Sequence, residues 1–483
     1  MFVKKILGNS VEEFRRGSFS ERCNLLAFGL LCLFIMECSI TGGGRYWSIG
    51  PLNVRMILGG LALLLALPTL LGHLGKYLKN PVIYLTIAFV VWLAFSAWRG
   101  WHAGNRMDVL MSDLKGFAWL VLIPVFVAVV NSRRRLHVLM SWMLAGALVQ
   151  AVCILVTNAA IILVDDPTPL RLWLSESIGL IDIVSETIVR VFYKSSPYMI
   201  GACAVVLFRQ AQAPKLRVRY VAAMALLFDA LLLSYTRSLY GGIGMTAIIT
   251  LVVVLVLYPK SRKRVAAFVL AAVVCFGVLD MAQEVVFEGS YLSFAISRTI
   301  GKPVQPSWAS QVRQMIREKK GPGSGGDDAD QDMERQRSYI ATTQRSDNLR
   351  KVTKDEMRAL VRQNPIIGNG LGASAPSRED GIDEYFYLDM LARTGVIGLA
   401  LYMLPFAYVV LWCLRKRAIL KEFPEGAAVL CALCAFWIVT GFNPWMNAVL
   451  GIAWYAAAAA VPTALEALPT AETAGNGSSE HGE

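Results

Sequence analysis

Charge is what this chain has little of. Asp, Glu, Lys and Arg make up 17% of its 483 residues, hydrophobic residues make up 55%, and the mean hydropathy is +0.50. A soluble globular domain carries about 25% charged residues, so this composition excludes one of ordinary type and leaves a polytopic membrane protein. Histidine is scarcer still. His73, His102, His137 and His481 lie far apart in sequence, which argues against a zinc hydrolase. No GxSxG, Walker A or GxGxxG motif follows a plausible strand, which argues against nucleotide-driven chemistry. The nine cysteines (23, 32, 38, 153, 203, 275, 413, 431 and 434) sit in or beside apolar runs and form no disulfide framework. Cys431 and Cys434 make a CxxC, but no second pair accompanies it. A small-x-small cleavage site is missing near Cys38 to Gly44, so the first apolar run reads as retained.

What is present is a series of apolar runs, each long enough to cross roughly 30 Å of hydrocarbon. They fall near 24–41, 51–72, 81–98, 109–130, 136–164, 196–211, 219–236, 239–258, 265–283, 391–414, 426–443 and 446–464, about twelve spans in all. The fold class expected is therefore an all-α polytopic membrane protein. Lys and Arg collect in every second connection: Lys4 to Arg22, Lys76 and Lys79, Arg133 to Arg135, Lys215 to Arg219, Lys260 to Arg264, and Arg415 to Lys421. The positive-inside rule puts those connections and both termini in the cytoplasm. Such a basic rim beside anionic lipid accounts for most of the +12 balance without nucleic acid.

The expected organisation is a cytoplasmic N-terminus at 1–22 and nine spans over 23–283, including an external segment at 165–195. A long, partly helical external loop at 284–390 follows, between spans nine and ten. Three more spans occupy 391–464, and 465–483 is a disordered cytoplasmic tail. Within the long loop a Gly- and Asp-rich insert reads as a solvated linker. Asp328, Asp330 and Asp332 have calcium-loop spacing, but Met333 stands where glycine is required and Tyr339 where the bidentate acid should be.

The stretch from 347 to 398 carries the polar chemistry. Asp347 is placed to cap a helix whose apolar residues Leu349, Val352, Met357, Leu360 and Val361 recur at helical spacing before Pro365. Arg350, Lys351, Lys354, Arg358 and Arg362 cover its other face, and a Gly368/Gly370/Gly372 turn and an acidic stretch follow. Under the expected topology Arg190, Lys194, Arg237, Arg350 and Glu384 meet at the outer membrane face. Arginine holds its charge under burial and offers a planar fork of donors suited to diphosphate oxygens. Other readings are a snorkelling side chain for Arg190, a solvated charge for Arg350, and a structural partner of an arginine for Glu384. Arg237, in a tight turn between two spans, has few structural explanations.

The segments SYTRSLYGG (234–242), LRKVTKDEMRALVRQNPIIGNGLG (349–372) and EYFYLDMLARTGVIG (384–398) resemble the core of the bacterial O-antigen ligase and polysaccharide polymerase superfamily, over roughly residues 185–400. Arg237 matches the family's Ser-Arg pair, with Thr236 at the serine position, and Arg350 matches the arginine ahead of the Pro-x-x-Gly-x-Gly turn. Arg190 matches an arginine ahead of a Pro-Asn step, here Pro197-Tyr198, and Glu384 stands where the family has histidine. The resemblance implies a metal-independent glycosyltransferase of the bacterial inner membrane that requires no cofactor. Its donor is an undecaprenyl diphosphate-linked glycan, and its active site is periplasmic. Glu384 and Arg237 are expected to be catalytic, and Arg190, Lys194 and Arg350 to bind diphosphate. Glutamate in place of histidine favours polymerisation of lipid-linked repeat units over ligation to lipid A-core. A flippase and a chain-length regulator are implied as partners. A transporter of lipid-linked oligosaccharide is the alternative of another class, with Asp113, Lys115 and Asp229 as its midplane candidates.

Overall fold

A computed structural model describes residues 14–40, 48–50, 52–164, 166–177, 179–183, 189–287, 291–300, 347–378, 385–441 and 444–466. Lys4 and Lys5, the Gly- and Asp-rich insert, Glu384 and the C-terminal tail lie outside the described residues. The chain is an all-α polytopic membrane protein. Helices stand where each apolar run is read: α1 (Phe19–Ile40), α2 (Val54–Gly72), α3 (Pro81–His102), α4 (Met107–Val129, tightened to a 3₁₀ turn at Ala118–Val121) and α5 (Arg133–Leu163). After α6 (Thr168–Ser177) and an antiparallel hairpin, β1 (Gly179–Ile183) with β2 (Val189–Tyr193), come α7 (Ser196–Gln212), α8 (Val218–Leu232), α9 (Arg237–Leu257) and α10 (Arg262–Phe287). The chain continues through α11 (Tyr291–Ile300), α12 (347–363), α13 (Phe386–Arg415), α14 (Pro424–Val439) and α15 (Val449–Ala459).

Among the described residues nine helices are long and apolar enough to cross a membrane. Three further apolar runs form shorter helices, α7, α8 and α14, of 17, 15 and 16 residues. Of these, α7 and α14 are buried on almost every side, as a helix that is apolar all round must be when protein surrounds it. Several cation-rich connections meet at one end of the bundle, called the lower end here: Arg135 binds Asn24, Arg133 pairs with Glu422, Gln212 binds the Lys421 carbonyl and Arg264 the Ala213 carbonyl. The end that holds the passage from α8 to α9 is called the upper end. The 165–195 segment, read from sequence only as an external segment, contains α6 and the hairpin. On β2, Val189, Val191 and Tyr193 are buried while Arg190 and Phe192 alternate with them, a period of two that a strand produces.

The glycine turn completes a broken helix. Inside α13, Gly395 has φ +70° and ψ −176°, which interrupts the helical ladder and frees backbone groups on both sides. Turn 365–370 takes them up. Val396 and Ile397 donate to the carbonyls of Pro365 and Ile366 (2.9 and 3.2 Å), and Asn369 and Gly370 donate to those of Ala392 and Arg393 (2.7 and 3.0 Å). Such pairing is required where irregular backbone lies at membrane depth. The two strands of chain approach so closely that a Cβ on Gly395 would lie 2.2 Å from the Ile366 carbonyl oxygen, and one on Gly368 would lie 2.4 Å from that of Arg393. Arg99 and Asn105, at the upper end of α3, bind carbonyls of the same turn, and Ser96 Oγ donates to Arg393 O (2.9 Å). The spacing of the Pro-x-x-Gly-x-Gly and Leu-Ala-x-x-Gly motifs is thus a backbone interlock that fixes where α12 and the start of α13 stand.

Below the interlock, Arg393 is clamped in a buried knot. Its guanidinium donates to Asp113 Oδ1 at 2.6 Å, to Asp389 Oδ2 at 3.0 Å and to Ala373 O at 2.9 Å, and Asp389 Oδ1 lies 2.9 Å from Nε as an ion pair, while Asp113 Oδ2 accepts from Gly372 N at 3.0 Å. Asp113 is therefore spoken for as a structural anion rather than standing alone at the midplane.

Candidate active site

The upper end between α8 and α9 gathers three arginines that are far apart in sequence. Helix α8 closes at Leu233, and Tyr235 turns the chain through a left-handed φ of +42°, a conformation uncommon for a residue bearing a large side chain. Its ring is fully buried and packs edge-on against Phe294 of α11, with centroids 4.8 Å apart. Thr236 then precedes α9, and Arg237 is the first residue of that helix. Strand β2 is stitched to this turn by Val191 N donating to Leu233 O at 3.0 Å, which brings Arg190 alongside.

Arg190 is held by several bonds. Its Nε donates to Ser234 O (3.2 Å), Nη2 to Thr236 Oγ1 (3.4 Å) and Nη1 to Asp182 Oδ2 (3.1 Å), the residue directly across the hairpin. Its side chain is 14% exposed. Burial draws the guanidinium below the usual arginine value; Asp182 opposes that shift, and the nearby positive charge of Arg350 adds to it. Arg237 donates through Nη2 to both oxygens of Asp347 (2.6 and 2.8 Å), and Arg350 Nη1 stands 3.6 Å from the same carboxylate. Arg237 and Arg350 are each 39% exposed. Three fixed cations thus surround one mouth, with two acids among them.

Helix α12 brings Arg350 and Asp347 into place. Its buried face runs through Thr353 and Met357, which meets Ala375 and Ala392, while Thr353 Oγ1 and Ser377 Oγ are 3.1 Å apart. That face differs from the one read in the sequence, because Leu349 and Val352 are exposed at 41% and 49%. Asp347 is also corrected. It is already helical, and its carboxylate serves Arg237 instead of capping the helix, because an arginine fork outcompetes a backbone amide for a carboxylate. Lys354, one turn along from Arg350, lies 5.8 Å over the ring of Tyr385, the residue after Glu384. Lys194 is exposed in the turn after β2, and the structure does not join it to the arginines. Asp182 and Asp347 were not picked out as members of the site by sequence reasoning. The alternating pattern around Ile181–Ile183 and Val189–Tyr193 was a strand signal that could have placed Asp182 opposite Arg190.

Among the described residues no three His, Cys, Asp or Glu side chains gather into a set able to hold a metal. What the mouth offers chemically is fixed positive charge and directional donors at partial exposure, a receptor for a polyanion.

No curated protein matches the chain. Residues 222–403 match the family model described as O-antigen ligase, a stretch that runs from α8 to the first part of α13 and includes Arg237, Arg350, the glycine turn and Gly395. Arg190 and Lys194 lie ahead of it. That match lies across the candidate site and supports a place for this stretch in the O-antigen ligase and polysaccharide polymerase superfamily.

Proposed function

We propose that this protein transfers a glycan from undecaprenyl diphosphate to a sugar hydroxyl at the periplasmic face of the inner membrane, and so lengthens a lipid-linked surface polysaccharide. The observation that carries the reading is the convergence of Arg190, Arg237 and Arg350 on one mouth. In the reaction the acceptor oxygen forms a bond to the anomeric carbon and the bond from that carbon to the diphosphate oxygen breaks. The electron pair leaves with the diphosphate, where charge grows. Three guanidiniums supply the countercharge a metal would otherwise provide, and Asp347 and Asp182 hold them in place until the stronger anion competes for the same donors.

Glu384 takes the acceptor hydroxyl proton in this scheme. A carboxylate with a reference pKa near about 4.3 is a weak base, so it acts in concert with bond formation rather than ahead of it. Lys354 beside Tyr385 supports this region's nearness to Arg350. A ligase that delivers the polymer to lipid A-core is the second reading, favoured by the description of the matching family. The transporter reading is disfavoured by Asp113, whose pairing with Arg393 and Gly372 N gives it a structural task.

The test is reconstitution of purified protein with undecaprenyl diphosphate-linked repeat units, scored by released undecaprenyl diphosphate and a glycan ladder. Arg237→Ala is expected to lower turnover by about 100- to 1000-fold, and Glu384→Gln by a comparable factor, while added Mg²⁺ does not stimulate the wild type. Release only after lipid A-core is supplied moves the assignment to ligase. Turnover unaffected by either substitution removes these residues from the mechanism.

A further inference from the structure

The end of α3, the last turn of α12 and the stretch after the glycine turn enclose a cavity of about 610 Å³. None of Arg190, Arg237 and Arg350 lines it. Its wall carries three other guanidiniums, those of Arg99, Arg106 and Arg378, and no Asp or Glu among the described residues. Trp98 and Trp101 are exposed on the last turns of α3, beside Arg99. Such aromatic residues favour the boundary between membrane and water, so the cavity lies where a hydrophilic chain on a lipid anchor emerges.

The charge in this wall is held in place without being neutralised. Arg99 Nη1 donates to the carbonyls of Ile367 and Gly368 at 3.1 and 2.5 Å, and no acid among the described residues pairs with it. Arg106 pairs with Asp108 at 2.6 Å, but the two side chains are 46% and 68% exposed, so the pair is weak and a ligand can compete for it. The amides are positioned by the interlock. Asn105 Nδ2 donates to the Leu371 carbonyl at 2.9 Å and Asn364 Nδ2 to Asn369 Oδ1 at 2.7 Å, and each keeps its own Oδ1 as an acceptor among the described residues. The exposed Gln363 adds an amide at the end of α12. Small-molecule pockets run from about 300 to 1,000 Å³, so the volume fits a ligand of one or a few rings. Fixed amides suit ring hydroxyls, and guanidinium forks suit a carboxylate.

We propose that this cavity is a subsite for a sugar unit bearing a carboxylate, so that the substrate class is an acidic glycan; this rests on the transfer reading above, which supplies the glycan. Arg350 near the start of α12 and Gln363 at its end stand about 20 Å apart at helical rise, the span of a short oligosaccharide. The diphosphate sits at one end of α12 and the acidic unit at the other. Lys354, over the ring of Tyr385, lies on the helix between them. The guanidiniums select for charge and the amides hold hydroxyls, and no bond is made or broken in the cavity. Donor and acceptor carry the same repeat unit in the polymerising reaction, so the subsite recognises one chemistry whichever chain reaches it.

The experiment titrates the full-length protein, in phosphatidylcholine nanodiscs, with a galacturonate trisaccharide and with the neutral galactose trisaccharide, read by saturation-transfer NMR. The acidic sugar is expected to bind about tenfold or more tightly than the neutral one, and less tightly as salt rises. Arg106→Gln and Arg378→Gln should each weaken it by about threefold, and Gln363→Leu should weaken both sugars alike. Arg106 and Gln363 are exposed, so their variants keep the proposal open to refutation should Arg378→Gln fail to fold. Equal affinity for the two sugars, or no binding of either, overturns the proposal. So do cavity variants that titrate like the wild type while Arg237→Ala loses the signal, which places the uronate at the arginine mouth. Displacement by glycerol phosphate at a lower concentration than the sugar assigns the cavity to a lipid headgroup and overturns it too. The readout needs no turnover: uronate binding without a glycan ladder strikes the transfer reading alone, and a ladder without uronate binding strikes this one alone.

Discussion

Two arginine centres near the upper end of the bundle look alike in sequence and differ in every physical respect. Arg393 is 6% exposed and its guanidinium is bound by two carboxylates and a carbonyl. Arg237 and Arg350 are 39% exposed and share one carboxylate between them. A buried charge must be fully compensated, which leaves nothing over for a ligand. A partly exposed one stays within reach of an incoming anion that can compete for its donors. Burial separates the arginine that builds the fold from those offered to a substrate.

The contrast is broken most sharply at the knot. Arg393→Met should leave Asp113 and Asp389 uncompensated and cost about 3–5 kcal/mol, seen as collapse of the folded yield and of thermal stability in detergent. If Arg393→Met folded as well as the wild type but lost turnover, the division between the two centres would be wrong. Gly395→Ala attacks the same unit through the backbone. An alanine there meets the Ile366 carbonyl and an unfavourable φ, so a loss on the order of 1–3 kcal/mol is expected, with turnover falling in step with folded protein. The smallest effect sharpens the other side. Asp347→Asn removes a partly exposed ion pair worth less than about 1 kcal/mol, so melting should scarcely move. It frees donors on Arg237 and Arg350, and KM for the diphosphate donor should fall by up to about fivefold.

The interlock of the glycine turn with α13 shows why a motif's spacing and its purpose are legible to different degrees. Gly368, Gly370 and Gly395 are conspicuous in the sequence as breakers. That the turn around Gly368 and Gly370 pairs, amide to carbonyl, with the residues on either side of Gly395 depends on a three-dimensional approach that no local pattern encodes. The helix at 347–363 was legible from its periodicity. Its buried face was not, because Ala375, Ala392 and Ser377, which it meets, come from elements whose positions are set by that interlock.

The sequence by itself determined the membrane class, the position of the apolar helices among the described residues and the clustering of cations in alternate connections. Hydropathy and turn chemistry are short-range properties that add along the chain, so they survive being read one residue at a time. Only the tertiary structure decided which arginines share a mouth, that Asp347 and Asp182 sit among them, and that Arg393 is locked away. Those outcomes rest on ion pairs between residues such as 113 and 393, or 237 and 347, whose geometry exists only once the helices between them have packed.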